Sequence, residues 1–139
     1  MHSHSEYIKK WQFDELPPMN TAHTRRHSSS SHREAKKWER LVWAVTSGAR
    51  PDHPLEFAFV HCTRHSSTCP DYDNLVMSFK PVIDALKKNN MIVDDDMKRL
   101  QREYDWEYAP RKKGYITIEL GELSGPRYCK ANNSLSGRW

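Results

Sequence analysis

Two groups of aspartates stand out as residues that could carry chemistry. Asp71 and Asp73 belong to the segment Asp-Tyr-Asp-Asn at 71–74, and three consecutive aspartates occupy positions 94–96. Carboxylate oxygens are hard ligands of the kind that Mg²⁺ takes, and a bound Mg²⁺ neutralises phosphate charge and lowers the pKa of an attacking water. An extended backbone directs residues two apart to the same side, so Asp71 and Asp73 could share an ion with Asp95. The pattern is therefore consistent with phosphodiester hydrolysis.

The same aspartates also fit a purely structural role. Negative charge is favourable at the N-terminus of a helix, so Asp71 and Asp73 could cap the helix that follows, and the later aspartates could form a turn. A calcium loop of the EF-hand type is excluded, because Val76 stands where that loop needs glycine and Val82 where it needs a bidentate glutamate. Spacing alone leaves the metal-binding and capping interpretations open.

The spacing of apolar residues, together with residues that typically begin or end helices, indicates the elements that would position these aspartates. A short strand is expected within residues 7–16. A helix is predicted from Ser31, which makes a capping box with Glu34, to Gly48 as the C-terminal stop. The run at 55–62 is apolar on both faces, and this predicts a central strand.

A second helical pattern covers residues 75–86, between the two aspartate groups. Pro81 either kinks this helix or stands in the first turn of a helix that begins near Phe79. Aromatic and acidic residues then alternate over 103–108, and β-branched residues mark another strand over 115–120. These two strands are expected to pair as a hairpin. The order of elements predicts an α+β domain with a mixed β-sheet, two main helices and a C-terminal β-hairpin.

Composition restricts the class of protein. A chain of 139 residues has room for one domain, expected over residues 1–123, with residues 124–139 as a flexible tail. Twenty-two lysines and arginines against 18 aspartates and glutamates give a formal charge of +4, which permits nucleic-acid binding through phosphates. Three cysteines without a disulfide pattern favour a reducing compartment, and neither a membrane span nor a signal peptide is recognisable. We therefore expect a cytoplasmic protein without a membrane partner.

The stretch from Asp71 to Asp96 resembles the signature of the RusA family of Holliday-junction resolvases. That family carries a D-x-D-N segment, a lysine in the helix ahead of a D-A-L, and a D-D pair that closes the segment. The matching residues here are Asp71-Tyr72-Asp73-Asn74, Lys80, Asp84-Ala85-Leu86 and Asp94-Asp95. The Pro-Pro-Met-Asn segment at 17–20 is similar to the P-P-x-N entry of the family, and the predicted elements follow the family's order.

The resemblance implies a Mg²⁺-dependent endodeoxyribonuclease that resolves Holliday junctions or related branched DNA by paired hydrolysis. It would make Asp71, Asp73 and Asp95 metal ligands and catalytic residues. Asp94 would be an accessory carboxylate at the metal, and Lys80 a catalytic cation near the scissile phosphate.

The position of the lysine departs from the family pattern. Counted forward from Asp73 without gaps, Met77 takes its place, whereas counting back from the D-A-L segment gives Lys80. We prefer Lys80, with a three-residue insertion after Asn74, because this alignment keeps Lys80 and Asp95 in register.

The resemblance also implies partners and a location. Enzymes of the family act as homodimers, which suits a four-way junction because a twofold protein can nick two opposed strands. The substrate would be branched DNA, in the cytoplasm or nucleoid of a bacterial or phage-infected cell. Candidate DNA contacts are the asparagine of the P-P-x-N segment and basic residues of predicted loops: Asn20, Arg25, Arg26, Arg64, Arg111, Lys112 and Lys113.

Two other functions remain open. A zinc-stabilised nucleic-acid-binding module could use His61, Cys62, His65 and Cys69, which are legitimate zinc ligands. Against it, His61 and Cys62 are neighbours on a predicted strand and would point to opposite faces. The other alternative is a non-catalytic DNA-binding protein with the nuclease fold, which would bind branched DNA without Mg²⁺-dependent cleavage.

Overall fold

The computed structural model describes residues 7–19 and 28–126. Within these residues the elements are β1 (Ile8–Phe13), α1 (Ser28–Val45), β2 (Ala58–Ser66), α2 (Tyr72–Ser78), α3 (Lys80–Lys88), β3 (Leu100–Tyr108) and β4 (Tyr115–Glu122). The strands form one mixed sheet, and α1 and α3 are the two main helices. The predicted α+β class is therefore confirmed. No helix in this part of the chain is long and apolar enough to cross a membrane.

The strand order in the sheet is β1-β4-β2-β3. β2 pairs parallel with β3 and antiparallel with β4, and β1 pairs antiparallel with β4. Parallel neighbours need a crossover, which α2 and α3 supply between β2 and β3. β2 is internal, as its apolar sequence predicts, but it begins at Ala58 and continues to Ser66. Part of the segment expected to be a polar loop is therefore strand.

The predicted C-terminal hairpin is wrong, because β2 lies between β3 and β4. Cys62 of β2, which is fully buried, is in register with Tyr104 on one side and Ile118 on the other. The short connection from β3 to β4 would suit a hairpin equally well, but here it passes the end of β2. The buried strand takes both neighbours, since an internal strand satisfies its backbone hydrogen-bonding groups on both edges.

α1 begins at Ser28, three residues before the predicted N-cap. Ser31 consequently lies inside the helix, and Glu34 accepts a hydrogen bond from the indole nitrogen of Trp38 at 2.9 Å instead of closing a capping box. Gly48 follows the helix with a φ of +79°, the left-handed conformation that glycine adopts easily. The expected C-terminal stop is confirmed.

The second helical pattern is divided in two at Phe79. This residue ends α2 and is also the N-cap of α3, and Pro81 stands in the first turn of α3, where a missing amide hydrogen costs little. The prediction that a helix begins near Phe79 is therefore confirmed, and the alternative of one helix kinked at Pro81 is wrong. Asn90, with a φ of 60°, ends α3, and Ile92 then forms an isolated parallel bridge with Leu55.

The core lies between the helices and one face of the sheet. Its largest fully buried side chains include Trp38 of α1, Phe79 and Leu86 at α3, and Ile118 and Leu120 of β4. Burial of one such apolar side chain contributes about 1.5–3 kcal/mol. Of the predicted tail, only residues 124–126 are described, and they form neither helix nor strand.

Candidate active site

The Asp94–Asp96 segment forms the turn between α3 and β3. Asp96 has a structural function, because its carboxylate accepts hydrogen bonds from the amides of Lys98 and Arg99 at 3.0 and 2.9 Å. The Asp94 carboxylate accepts from the amide of Asp95 at 2.8 Å. Of the three aspartates, Asp95 is the one whose side chain makes no hydrogen bond to the backbone among the residues described.

Two lysines of α3 reach this turn. Lys80 Nζ lies 3.7 Å from Asp95 Oδ2 and donates a hydrogen bond to Asp84 Oδ1 at 3.1 Å. Lys87 Nζ lies 3.1 Å from Asp94 Oδ1 and 3.9 Å from Asp95 Oδ1. Acidic and basic side chains therefore lie next to one another on the exposed side of α3 and on the turn that follows it.

The acidic and basic groups perturb one another's protonation. Asp94 has a lowered pKa, first because it accepts the Asp95 amide and second because it is paired with Lys87. The pKa of Lys87 is raised, chiefly by its hydrogen bond to Asp94. Both groups are therefore fully charged at neutral pH, and the turn presents fixed charges to any ligand.

Asp71 and Asp73 lie at the start of α2. Asp71 is the N-cap, and its Oδ1 accepts from the amide of Asn74 at 3.0 Å, while Asp73 is in the first turn of the helix. The capping interpretation is thus correct for Asp71. Capping occupies only one carboxylate oxygen, and both side chains are exposed, so the remaining oxygens face solvent.

Tyr104 of β3 packs against Phe79, the residue between α2 and α3, with ring centroids 5.8 Å apart. Burial is the main cause that raises the pKa of Tyr104 to about 12; Cys62 raises it further and Arg102 opposes the rise. Arg102, two residues earlier, donates from Nη2 to the carbonyl of Asp95 at 2.6 Å and holds the turn against β3. The start of α2 and the Asp94–Asp96 turn consequently flank one segment of β3.

The carboxylates have the donor chemistry of a Mg²⁺ site. Within residues 7–19 and 28–126, however, no three histidine, cysteine or acidic side chains lie close enough together to hold one ion. Mg²⁺ commonly takes only one or two carboxylates and completes its shell with water and substrate phosphate. The adjacent Asp94 and Asp95 fit that mode. The participation of Asp71 and Asp73 as further ligands stays a prediction.

The structure separates the predicted DNA contacts into three groups. Arg64 is only 7% exposed and donates from Nη1 to the Pro17 carbonyl at 2.6 Å, so it is a structural residue and its assignment as a phosphate contact is wrong. Arg111, Lys112 and Lys113 are exposed on the loop between β3 and β4. The remaining candidates lie outside the described residues: Asn20, Arg25 and Arg26.

The zinc alternative loses support from the geometry of β2. Cys62 is buried in the core, and burial raises the pKa of its thiol and disfavours the thiolate that zinc requires. His61 is on the opposite face, with Nε2 2.6 Å from Asp105 Oδ2. His65 stacks on Tyr115 with ring centroids 4.1 Å apart. The expectation that His61 and Cys62 point to opposite faces is confirmed.

Sequence reasoning missed three residues at the candidate site: Lys87, Arg102 and Tyr104. Lys87 could have been found, since a lysine in the last turn of a helix before an acidic segment is well placed to pair with it. Arg102 and Tyr104 gave no such signal, because their position depends on β3 lying beside β2 rather than in a hairpin with β4.

A scan against protein-family models finds no family that matches the chain, and a search of curated proteins finds no match either. The resemblance to the RusA family therefore stays a prediction from the motifs between residues 71 and 96.

Proposed function

We propose that this protein is a Mg²⁺-dependent endodeoxyribonuclease of the RusA type that cuts branched DNA. The observation that carries the proposal is the approach of Lys80 Nζ to Asp95 Oδ2 at 3.7 Å. Lys80 is at the start of α3 and Asp95 is in the turn that follows this helix, and the two residues belong to different motifs of the resemblance. Their contact is the arrangement expected if Lys80, and not Met77, fills the lysine position.

In this proposal Asp95, Asp71 and Asp73 would hold Mg²⁺, with Asp94 as an accessory carboxylate. Because no three acidic side chains meet at one point among the described residues, binding of the ion would have to draw the start of α2 toward Asp95. When bound, Mg²⁺ supplies charge neutralisation at the phosphate and a lowered pKa for the attacking water. The amide of Asp95 and the ammonium of Lys87 fix the Asp94 carboxylate, so its orientation does not have to be established when DNA arrives.

Lys80 would stabilise the scissile phosphate. Its side chain is 65% exposed, so the ammonium can reach a ligand in solvent, while Asp84 and Asp95 limit its orientations. A lysine ammonium is a compact charge with several donors and binds non-bridging phosphate oxygens well. The contact would oppose the negative charge that develops on phosphate during hydrolysis.

The DNA substrate is supported by charge. The formal charge is +4, and the exposed loop of Arg111, Lys112 and Lys113 can contact phosphates. A homodimer would present two such sites to opposed strands of a junction.

The proposal is tested by cleavage of a labelled four-way junction and of linear duplex, with Mg²⁺ or EDTA. Wild type should cut the junction only with Mg²⁺, and Asp73→Asn should bind the junction without cutting it. Asp52→Asn is the matched control, because Asp52 is also exposed but lies in the connection between α1 and β2. Equal loss in both variants, or cleavage in EDTA, would refute the metal mechanism.

A second pair of variants tests Lys80. Lys80→Ala should lower the cleavage rate by about a hundredfold, the scale for loss of one charge-stabilising donor, with little change in junction affinity. Lys88→Ala removes an exposed lysine from the same helix and should cut at the wild-type rate. Equal rates for Lys80→Ala and wild type would remove Lys80 from the mechanism.

A non-catalytic DNA-binding protein is the second candidate. It is favoured by the formal charge of +4 and by the exposed loop of Arg111, Lys112 and Lys113, which would serve binding without cleavage. In that case wild type would bind the junction tightly and leave it intact at every Mg²⁺ concentration.

A further inference from the structure

The outer side of α1 carries a row of basic residues that ends in an exposed tryptophan. Arg33, Lys36, Arg40 and Trp43 follow one another at intervals of three or four and therefore share a face of the helix. All four are exposed, and this set is called the α1 surface below. It lies apart from Trp38 and Val42, which fill the core side of the same helix.

Trp43 is held in a fixed orientation although 58% of it is exposed. The guanidinium carbon of Arg50 lies 3.9 Å from the centre of its ring, so a cation covers one face of the indole. Arg50 Nη1 also donates to the Trp43 carbonyl at 2.8 Å and to Thr46 Oγ1 at 3.2 Å. An aromatic side chain anchored in this way loses little conformational entropy when a ligand stacks on it.

A groove beside Trp43 connects the α1 surface to the end of α3. It is lined by Lys36, Glu39, Arg40 and Trp43 of α1 and by Asn89, the residue that caps the C-terminus of α3. The Asn89 amide donates to the Glu39 carbonyl at 3.1 Å, which ties the two helices together at this point. Asn89 of the groove is two positions after Lys87, the residue that pairs with the Asp94 carboxylate.

We propose that the α1 surface binds an unpaired stretch of DNA, with a base stacked on Trp43 and the flanking phosphates on Arg40 and Lys36. DNA as the ligand rests on the proposed function. Charge complementarity supports this occupant, because the α1 surface carries three exposed cations beside one flat aromatic platform. The acidic residue of the groove, Glu39, lies 3.9 Å from Lys36 Nζ and offsets only part of this positive charge. Basic grooves with aromatic platforms bind single strands without sequence preference, and a branch point exposes such bases.

The ordinary alternatives are a solvated helix face and a contact between two copies of the chain. Isolated exposed tryptophans occur on monomeric proteins, and basic helix faces are common. A subunit contact would not need the row of cations that precedes Trp43 on α1. The two alternatives predict different results in the test below.

The test measures binding of a fluorescent dT oligomer of about 12 nucleotides, and of a four-way junction, by anisotropy in EDTA. Trp43→Ala should weaken binding of the oligomer by about tenfold or more, and Trp43→Phe should retain most of the affinity. Ile8→Ala is the control, because Ile8 is a similarly exposed apolar residue that belongs to β1 and not to the α1 surface.

Salt dependence separates stacking from charge. Trp43→Ala should leave the slope of log Kd against log salt unchanged, whereas Arg40→Ala should reduce it by about 0.7 for a single strand. Urea unfolding confirms that each variant is folded, and Trp43→Phe with Arg40→Ala still tests the proposal if Trp43→Ala does not fold.

Equal affinities for Trp43→Ala and Ile8→Ala would overturn the proposal. So would a loss of the dimer in Trp43→Ala, measured by sedimentation, with oligomer binding intact. If wild type cuts the junction but Trp43 has no effect, the α1 surface fails and the nuclease stands. If Trp43 governs binding and nothing is cut with Mg²⁺, the nuclease fails and the α1 surface stands.

Discussion

Replacement of Arg64 by alanine distinguishes a buried structural arginine from a DNA contact. Arg64 belongs to β2, is almost fully buried, and donates to the Pro17 carbonyl at 2.6 Å. Burial places the guanidinium in a less hydrated environment than water provides and therefore lowers its pKa. The hydrogen bond to Pro17 compensates for that cost and holds the segment after β1 against the end of β2.

The expected loss of stability follows from this contact. A hydrogen bond that involves a charged group contributes about 1.5–3 kcal/mol, and the alkyl part of the side chain adds packing. Removal of a partly desolvated charge offsets some of this loss, so we expect the free energy of unfolding to fall by about 2 kcal/mol. The entropy of unfolding is about 2.1 cal/mol/K per residue, or roughly 0.3 kcal/mol/K for this chain, so Tm should fall by about 7 °C.

The assay combines urea unfolding with junction binding at several salt concentrations. Arg64→Ala should be less stable, and its folded fraction should bind DNA with the wild-type salt slope. Arg111→Ala is the control: its side chain is exposed, so stability should change by less than about 0.5 kcal/mol, and a lost phosphate contact should lower the slope by about 1. The structural explanation is refuted if Arg64→Ala keeps wild-type stability and flattens the salt slope.

Three further changes test the packing and the protonation of buried groups. Trp38→Phe removes the indole hydrogen bond to Glu34 and should cost about 1–2 kcal/mol in urea unfolding; an unchanged midpoint would show that this bond contributes nothing. Burial lowers the pKa of His65 below its usual 6.5, so the unfolded chain binds a proton more readily and stability should decline as pH falls below about 6.5. His65→Gln should flatten this decline, and an identical pH profile would contradict the assignment. A thiol reagent should modify exposed Cys69 rapidly and buried Cys62 only on unfolding, as labelling followed by peptide mass analysis would show.

Helix boundaries were predictable where a glycine or a proline marks the end or the beginning of the helix. Gly48 and Pro81 each act through their own backbone, so their effects on α1 and α3 could be read without tertiary information. The start of α1 was predicted three residues too late. Ser31 and Glu34 match a capping box, but the helix already begins at Ser28. A local signal fixes a helix boundary only when no residue upstream can continue the helix.

Strand pairing was less predictable than the strands themselves. The sequences of β3 and β4 do not indicate that β2 lies between them. Strand pairing depends on which of all the strands takes the internal position. The same limit applies to Arg64, whose basic side chain gives no indication in the sequence that it is buried. At the candidate site, the motif selected Lys80 and Asp95 separately, one for the phosphate and one for the metal, and did not predict their contact. The position of Tyr104 could not be predicted either, because it requires the parallel pairing of β2 with β3.

The strand order also determines when the sheet can be completed during synthesis. β4 comes late in the chain, yet it is the strand that joins β1 to the β2–β3 pair, and its Ile118 is in register with Trp11 and with Cys62. Until β4 has left the ribosome, β1 has no partner within the described sheet, and one edge of β2 presents unsatisfied backbone groups. Contacts of such high sequence separation form slowly, so the nascent chain spends time with an exposed central strand. Chains that stop before β4 should therefore aggregate during expression rather than accumulate as a smaller folded protein.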